Sequence, residues 1–575
     1  MKEFLKNLKF IWKYVKNEKK DINVFLISNI LRIVSLIILP ILSARIIIEL
    51  TSNNYIQILL IAFAILIVDG LSSLFEYLNR VTSANIYRKA LTALESDISK
   101  EVLKLDNKSL EDNGTGVFIQ RLTNDTSRLS NVFRTVFGLF SELIRYIGTL
   151  IAIFLISKIV FIYAIIVLIV LYILEKISID VYNKNDKVVR VSEEKATSLI
   201  SEMIHGVKDI KMLNSEKSFM NELNVKIDDA NYKRLKMDKT SHNYKLLMWE
   251  VEILFEFILI ALLVILMSKN IIASSIALVL YNYAKNINWM VYVIDSFANT
   301  VKDFNLSCER VFEIIKNDKF KQEDFGNIHL DKIHGDFEFK NVTFGYDKRK
   351  VLKKLNFKVN ANTTVAFVGK SGAGKSTIFN LLCKMYNVDS GQITIDGTDI
   401  NDLDKDSIRG NITVISQDPY IFNMSIKDNL RLVKEDLTDK EMKNACKIAC
   451  LDDFIKKLPD GYDTIVGEGG VNLSGGEKQR LAIARALIQK TEIILFDEAT
   501  SALDNETQEK IQKAIENMKS EYTILIIAHR LSTIINADRI LYLEDGKIKA
   551  EGTHKELLKT CEEYKKLYET ELTKK

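Results

Sequence analysis

Residues 364–377 read TVAFVGKSGAGKST, and the helical run IFNLLCKMY follows them. The apolar stretch 364–368 predicts a buried strand, and residues 369–376 match G-x-x-x-x-G-K-[ST] between a strand and a helix. In this context the glycines let backbone N–H groups converge on phosphate oxygens, and the helix N-terminus adds positive potential. We expect Lys375 to reach the β- and γ-phosphates of a nucleotide and Ser376 to hold Mg²⁺. The predicted phosphate loop comprises Gly369, Lys370, Ser371, Gly372, Ala373, Gly374, Lys375, Ser376 and Thr377.

A second apolar run, IILFDE at 493–498, ends in two carboxylates. Such a run is typical of a buried parallel strand. Asp497 is suited to the ligand shell of the metal ion, and Glu498 is placed to polarise the water that attacks the γ-phosphate. With the phosphate loop, these carboxylates predict a site that hydrolyses a nucleotide.

A third segment, LSGGE at 473–477, precedes the helical run KQRLAIARALIQ. Ser474 is a good helix N-cap, and Gly475 and Gly476 expose N–H groups at the helix start, which predicts another anion site. One nucleotide bound to one domain does not obviously need two phosphate sites so far apart along the chain.

The N-terminal half has a different composition, with only five charged residues between positions 22 and 79. A hydrocarbon core requires roughly 20 apolar residues per helix. Three successive pairs of apolar segments therefore predict six membrane-spanning helices, of which the last is the least hydrophobic. The predicted spans are 22–48, 56–78, 133–157, 159–180, 246–268 and 271–300.

The first twenty residues carry seven lysines, which places the N-terminus in the cytoplasm. The apolar region that follows is too long for a cleavable signal peptide and lacks a small-residue cleavage site. Six crossings return the C-terminus to the cytoplasm. The connections 80–132 and 180–245 are long, charged and helical in pattern, so we expect helices that project into the cytoplasm.

Glu252 and Glu256 lie one helical turn apart in a predicted span and share a face. Ionisable residues in lipid are costly and should face the interior of the bundle or a water-filled cavity. In a cavity, the pair could meet a cationic substrate. The alternatives are ion pairs with arginines of other helices, or a position at the inner membrane interface.

The bulk composition averages two dissimilar halves. The 575 residues include 79 basic and 75 acidic side chains, and the mean hydropathy is +0.04. A net charge of +4 gives no support to nucleic-acid binding. The five cysteines are odd in number and show no metal-binding pattern, which favours reduced thiols. The charged segment 316–335 predicts a linker between the two halves. The high content of Ile, Lys and Asn suggests that the protein comes from a bacterium.

The motifs and their order resemble an ATP-binding cassette (ABC) exporter of the half-transporter type, with a type IV fold. The resemblance covers nearly the whole chain and is most specific in 340–555. It implies a multidomain protein with an all-α six-helix transmembrane domain and long cytoplasmic extensions at 1–315. After the linker, residues 336–575 would form an α/β P-loop NTPase domain with a helical subdomain. The loops at about 110–125 and 206–219 resemble those whose short coupling helices press on the nucleotide-binding domains.

In this family the LSGGE segment of one subunit closes over the ATP held by the phosphate loop of the other. The resemblance therefore implies a dimer with two ATP molecules at its interface. Glu477 stands where glutamine is commoner, which leaves the Ser-Gly-Gly anion site intact. Further roles are implied for Tyr346 (stacking on adenine), Gln417 (nucleotide and Mg²⁺), His529 (γ-phosphate), Ser474, Gly475, Gly476 and Glu477 (nucleotide of the other subunit), and Ser501, Ala502, Leu503 and Asp504 (subunit contact).

We therefore expect an ATP hydrolase that uses ATP and Mg²⁺ to drive export across the plasma membrane by alternating access. Its catalytic residues would be Lys375, Glu498 and His529. Its partners would be membrane lipid, a transported substrate that the sequence does not identify, and a second half-transporter in a homodimer or heterodimer. Three alternatives stay open: an importer with the exporter fold and a siderophore-like substrate, a membrane sensor ATPase that does not transport, and a soluble cassette ATPase, against which the six spans argue.

Overall fold

The computed structural model describes residues 2–51, 54–316, 319–347, 349–467, 470–497, 521–527 and 534–572, with single positions 509, 512, 513, 515, 516 and 518. The chain divides into two compact units. The first comprises Met1–Leu103 and Thr115–Lys319, and the second Lys104–Gly114 and Phe320–Lys575.

In the described residues, the first unit is built of helices. α2 packs along α3, and α7 packs along α9. The chain order is α1 (Lys2–Val15), α2 (Lys19–Thr51), α3 (Tyr55–Val102), α4 (Asn107–Gln120), a π-helical turn (Arg121–Asp125), α5 (Thr126–Ser130), α6 (Val132–Ile156), α7 (Lys158–His205), α8 (Val207–Met212), α9 (Glu216–Ser268), α10 (Ser274–Asn286) and α11 (Trp289–Ile315).

Five helices in the described part of the chain are long and apolar enough to cross a membrane, and each overlaps one of the first five predicted spans. α3, α7 and α9 have 48, 48 and 53 residues and no proline. At 1.5 Å per residue each is at least about 70 Å long, more than twice a hydrocarbon core of about 30 Å. The apolar part of each helix therefore continues into a polar extension, as the sequence predicts.

The sixth predicted span, 271–300, is not one continuous helix. α10 ends at Asn286 and α11 begins at Trp289, and tight backbone bonds run from Met290 N to Ile287 O (2.9 Å) and from Val291 N to Asn288 O (3.2 Å). Asparagine has a low helix propensity because its side chain competes for backbone hydrogen bonds. The expectation of an unbroken helix here is wrong, because a turn at Ile287 and Asn288 separates α10 from α11.

The second unit is organised around a six-stranded sheet in the order β12-β11-β3-β10-β9-β6, beside a four-stranded sheet in the order β2-β1-β4-β5. Its strands are β1 (Phe337–Phe344), β2 (Leu352–Val359), β3 (Thr364–Gly369), β4 (Ser390–Ile395), β5 (Thr398–Asp399), β6 (Ile412–Ile415), β7 (Met424–Ser425), β8 (Ile465–Val466), β9 (Ile493–Asp497), β10 (Thr523–Ile527), β11 (Arg539–Glu544) and β12 (Lys547–Gly552).

In the six-stranded sheet, every neighbouring pair except β11 and β12 is parallel. Ala366 of β3 and Phe496 of β9 both pair with Ile526 of β10. β3, β9 and β10 are buried along almost their whole length, which is typical of a parallel sheet covered on both faces. The carboxyl ends of these strands consequently meet at one edge of the sheet.

Helices cover this sheet, and a helical subdomain lies between β6 and β9 in sequence. The subdomain buries apolar side chains of α14, α15 and α17 in one cluster, including Leu430, Met442 and Ile483. The helices of the unit are α12 (Lys375–Leu382), α13 (Lys405–Arg409), α14 (Ile426–Arg431), α15 (Asp439–Ile448), α16 (Asp452–Ile455), a 3₁₀ turn (Gly461–Asp463), α17 (Gly475–Gln489), and two C-terminal helices (His554–Thr560 and Glu562–Leu572).

The segment 104–114 belongs to the second unit, although it precedes most of the first in sequence. Asp106 N donates to Lys321 O (2.9 Å) and Glu323 N to Lys104 O (2.8 Å), so the segment pairs with the chain that follows α11. Gly114 adopts a φ of 70° inside α4, and the chain changes units there. A left-handed φ favours glycine because glycine has no Cβ. The domain boundaries at 315 and 336 stay predictions.

Candidate functional site

The phosphate loop lies between β3 and α12. Lys375 Nζ donates to the carbonyl oxygens of Gly369 (2.9 Å) and Lys370 (3.1 Å), so the buried lysine holds the loop from within. Gly374 has a φ of 99°, and a Cβ there would lie 2.6 Å from Leu352 Cδ2. The left-handed backbone conformation therefore favours glycine at this position, and a larger side chain would also displace Leu352.

A cleft of about 560 Å³ opens beside the loop. Four basic residues and two acidic residues line it, together with loop residues. Positive side chains beside exposed loop N–H groups suit a polyphosphate. The charged residues of the cleft are Arg349, Lys350, Lys353, Lys370, Glu544 and Asp545.

Ser376 and Asp497 are brought together at the carboxyl edge of the sheet. Ser376 Oγ donates to Asp497 Oδ1 over 3.1 Å. Magnesium prefers hard oxygen ligands and is usually held by one or two of them from the protein. A hydroxyl and a carboxylate side by side next to the loop therefore fit that ion.

Two other predicted residues of this edge, Glu498 and His529, lie outside the described residues. Gln417 follows β6, and its backbone oxygen accepts a hydrogen bond from Gln479 Nε2 of α17 (3.0 Å). The side chain of Gln417 is exposed. The hydrogen bond to its backbone attaches this segment to α17, the helix that begins in the LSGGE motif.

Tyr346 lies beside the end of the phosphate loop. Its hydroxyl is 3.3 Å from Thr377 Oγ1 and accepts from Asn380 Nδ2 (3.2 Å). Its ring packs edge-on against Phe344, with 5.0 Å between ring centroids, and the residue is still 38% exposed. An aromatic ring next to the loop and open to solvent can accept a base on its face.

Ser474 and Glu477 form a capping box at the start of α17. Ser474 N donates to Glu477 Oε2 (2.8 Å), and Glu477 N donates to Ser474 Oγ (3.4 Å). Glutamine can make the same side-chain acceptor contact, which explains why glutamate is tolerated here. Apart from its chain neighbours and the backbone of its own helix, no described heavy atom lies within 4 Å of a Cβ placed on Gly475, so this helix start is open to a ligand. Ser501, Ala502, Leu503 and Asp504 lie outside the described residues.

Arg485 makes contacts near the predicted site that the sequence does not reveal. Its guanidinium donates to the backbone oxygens of Asn429 (3.0 Å) and Tyr420 (3.0 Å), and it lies 5.8 Å from the ring centroid of Phe422. Burial lowers the pKa of this guanidinium. Arg485 thereby ties the helix of the LSGGE motif to the segment that follows Gln417. Its partners are at least 56 positions away, so a local pattern could not identify it.

Glu252 and Glu256 line a cavity of about 370 Å³ in the first unit. Trp249, Trp289 and Tyr163 line it too. Glu256 Oε1 accepts from Lys285 Nζ (2.7 Å) and also from the Tyr281 hydroxyl. Glu256 therefore forms an ion pair with a lysine of α10, the helix that follows its own.

Three arginines of α2, α3 and α6 pair with other carboxylates. Arg32 and Arg80 both pair with Glu76, and Arg145 pairs with Glu142. A buried or lipid-facing charge is stabilised by an opposite charge close to it.

Comparison with known proteins agrees with this arrangement. The chain matches the family model of the ABC transporter transmembrane region over residues 22–288 and that of the ABC transporter over residues 352–501. It is 33% identical over 529 residues to the ATP-dependent lipid A-core flippase of Pasteurella multocida, with 88% of each chain covered. It is 28% identical to the uncharacterized ABC transporter ATP-binding protein YfiC of Bacillus subtilis, over 99% of this chain and 94% of that one.

A solved structure has the same fold. A bacterial Atm1-family ABC exporter with ATP bound superposes with a TM-score of 0.84 and 25% identity, covering 96% of this chain and 99% of the other. Since a transmembrane region and a phosphate-loop domain of this kind are fused in one polypeptide, the chain belongs to the ABC transporter family, as a dimerising exporter-type half-transporter that binds and hydrolyses ATP to drive transport across a membrane.

Proposed function

We propose that two subunits, identical or homologous, enclose two ATP molecules, each between the phosphate loop of one subunit and Ser474, Gly475, Gly476 and Glu477 of the other. The open N-terminus of α17 supports this role, because its N–H groups and dipole favour an anion. Residues 501–504 would form the adjoining subunit contact. Closure of this dimer would drive the alternating access of the membrane helices.

The roles at each ATP follow from chemistry and position. Lys375, which holds two loop carbonyls, would exchange those bonds for β- and γ-phosphate oxygens. Ser376, Asp497 and Gln417 would hold Mg²⁺, which neutralises phosphate charge when bound. Glu498 would accept the proton of the attacking water, His529 would contact the γ-phosphate, and Tyr346 would stack on adenine.

The cavity that contains Glu252 and Glu256 is the proposed substrate site. Its aromatic side chains would bind apolar parts of an amphipathic molecule, and Glu252 would bind a polar or cationic group. The lysine-rich N-terminus supports cytoplasmic termini in the plasma membrane of a bacterium. An exporter in this orientation moves its substrate outward.

The 3.1 Å contact between Ser376 and Asp497 is the main support for the proposal, because it joins the phosphate loop to the carboxylate that would bind Mg²⁺. The test uses the full chain in liposomes. ATP-driven flux and ATPase activity are measured with a panel of phospholipids, organic cations and peptides, with Lys375→Ala as the inactive control.

We expect a substrate of the panel to stimulate ATP hydrolysis and to move outward, from the side that carries the nucleotide domain to the other. Flux in the opposite direction would make the protein an importer. If no ligand of the panel changes the ATPase activity and no flux is detected, the protein would be a sensor ATPase that does not transport. Full ATPase activity in Lys375→Ala would refute the assigned site.

A further inference from the structure

Tyr386 connects the first turns of α4 to the nucleotide domain. Its hydroxyl accepts a hydrogen bond from Asn107 Nδ2 (2.8 Å) and donates one to Glu111 Oε2 (2.7 Å). Asn107 and Glu111 also bond to each other (2.9 Å), so the three side chains form a closed network within the second unit. One hydroxyl that both accepts and donates in this way has a fixed orientation.

The ring of Tyr386 packs against the proposed adenine-binding ring. The centroids of Tyr386 and Tyr346 are 5.1 Å apart, and the ring planes meet at 89°. Aromatic pairs favour this edge-to-face geometry. With Phe344 at its edge and Thr377 and Asn380 at its hydroxyl, Tyr346 is held on three sides. Tyr386 is therefore one of the contacts that fix the orientation of Tyr346.

We infer that Tyr386 is a positioning residue for ATP: its ring orients Tyr346, and its hydroxyl couples that orientation to Asn107 and Glu111 of α4. The inference rests on the proposed function, in which Tyr346 stacks on adenine. Because coupling between two sites is reciprocal, displacement of the segment 104–114 would change affinity for the base. Affinity for the phosphates, which bind at the other end of the site, would not change.

Attachment of the segment itself does not depend on Tyr386. Backbone bonds join Asp106 to Lys321 and Glu323 to Lys104, and Lys321 N donates to Ser109 Oγ (3.1 Å). Glu323 in turn forms a two-bond pair with Arg409 (2.7 and 3.0 Å). Tyr386→Phe removes the hydroxyl and keeps the ring, so it tests orientation without detaching the segment.

The experiment measures ATPase activity of the full chain in nanodiscs. It determines the KM for ATP and the inhibition constant of inorganic triphosphate, a competitor that has no base. In Tyr386→Phe we expect the KM to rise about three- to tenfold, the effect of one hydrogen bond, with a kcat and an inhibition constant within about twofold of the parent. Tyr568→Phe is the matched control, because this half-buried tyrosine lies on a C-terminal helix.

A double-mutant cycle distinguishes coupling from general damage. Glu111→Ala should raise the KM as Tyr386→Phe does, and the double variant should be no worse than either single variant, because both changes remove the same hydrogen bond. Additive effects, an unchanged KM in Tyr386→Phe, or an equal loss of triphosphate binding would each overturn the inference. Tyr346→Ala separates the two proposals: an unchanged KM in that variant refutes the adenine site itself.

Discussion

Ser376 Oγ and Asp497 Oδ1 lie 3.1 Å apart, although 121 positions separate the two residues in sequence. Ser376 is the second residue of α12, the helix after β3, and Asp497 ends β9; β10 separates these two strands in the sheet. Parallel strands present their carboxyl ends at the same edge, which is where α/β sheets bind ligands. The contact therefore follows from the topology of the sheet.

Asp497→Asn should weaken the binding of Mg²⁺ at the ATP site. The amide keeps the shape of the side chain but removes the charge that a hard cation prefers. We expect the Mg²⁺ concentration for half-maximal ATPase activity to rise about tenfold or more, while binding of ATP in the absence of Mg²⁺ is kept. The measurement is ATPase activity across a Mg²⁺ titration at saturating ATP. An unchanged Mg²⁺ requirement would remove Asp497 from the metal site.

Glu498→Gln should stop turnover after ATP has bound. A glutamine cannot accept the proton of the attacking water, so ATP should stay trapped between the two subunits. Steady-state hydrolysis should fall by a factor of about 100 or more, and bound radiolabelled ATP should survive removal of free nucleotide. Normal hydrolysis in this variant would refute the role of Glu498 as the base.

Glu477→Ala and Glu477→Gln should differ. The glutamine variant keeps the side-chain acceptor of the capping box with Ser474, whereas alanine removes it, at a cost of about 1 kcal/mol. We expect a lower melting temperature and lower ATPase activity for the alanine variant only. Thermal denaturation and ATPase assays of both variants test this. Equal behaviour of the two would show that the capping box does not support the LSGGE site.

His329 should make stability depend on pH near neutrality. The hydrogen bond and negative charge of Asp404 raise the pKa of His329. A raised pKa stabilises the fold below the unfolded value of about 6.5, and the stabilisation disappears as pH rises through the folded value. Between pH 6 and 8, the melting temperature of the parent should therefore fall more than that of His329→Gln. Parallel pH profiles of the two proteins would contradict this prediction.

The pKa of Asp404 is shifted in the opposite direction to that of His329. Hydrogen bonds from Ser407, and then from His329, lower the pKa of Asp404 to about 2. The stabilisation from this carboxylate is present above its unfolded pKa and disappears only as pH falls toward about 2. The carboxylate consequently stays charged across the pH range in which His329 titrates.

The sequence was sufficient for the parts of the site that are local. The phosphate loop, the strand before Asp497 and the N-cap at Ser474 each lie in one contiguous stretch with its own pattern. Five helices long and apolar enough to cross a membrane likewise coincide with long, mostly apolar runs of the sequence. The turn at Ile287 and Asn288 was missed because the apolar residues before Lys285 and after Asn288 together are numerous enough to suggest a single span.

The contacts of Tyr386 and Arg485 could not be predicted in this way. Tyr386 lies 279 positions from Asn107, and Arg485 lies 65 positions from Tyr420. Such contacts arise when separate elements pack together, and they leave no periodicity in either segment. Only the folded chain reveals them.

The pairing of residues 104–106 with 321–323 also constrains the order in which the protein can fold during synthesis. Domains generally fold as units, beginning at the N-terminus, yet the second unit incorporates a piece of chain that leaves the ribosome more than two hundred residues before its partner. That piece must wait with its backbone groups unpaired until α11 and residue 323 have been made. A nucleotide domain produced alone from residue 320 would lack this partner, so its N-terminal edge would be incomplete.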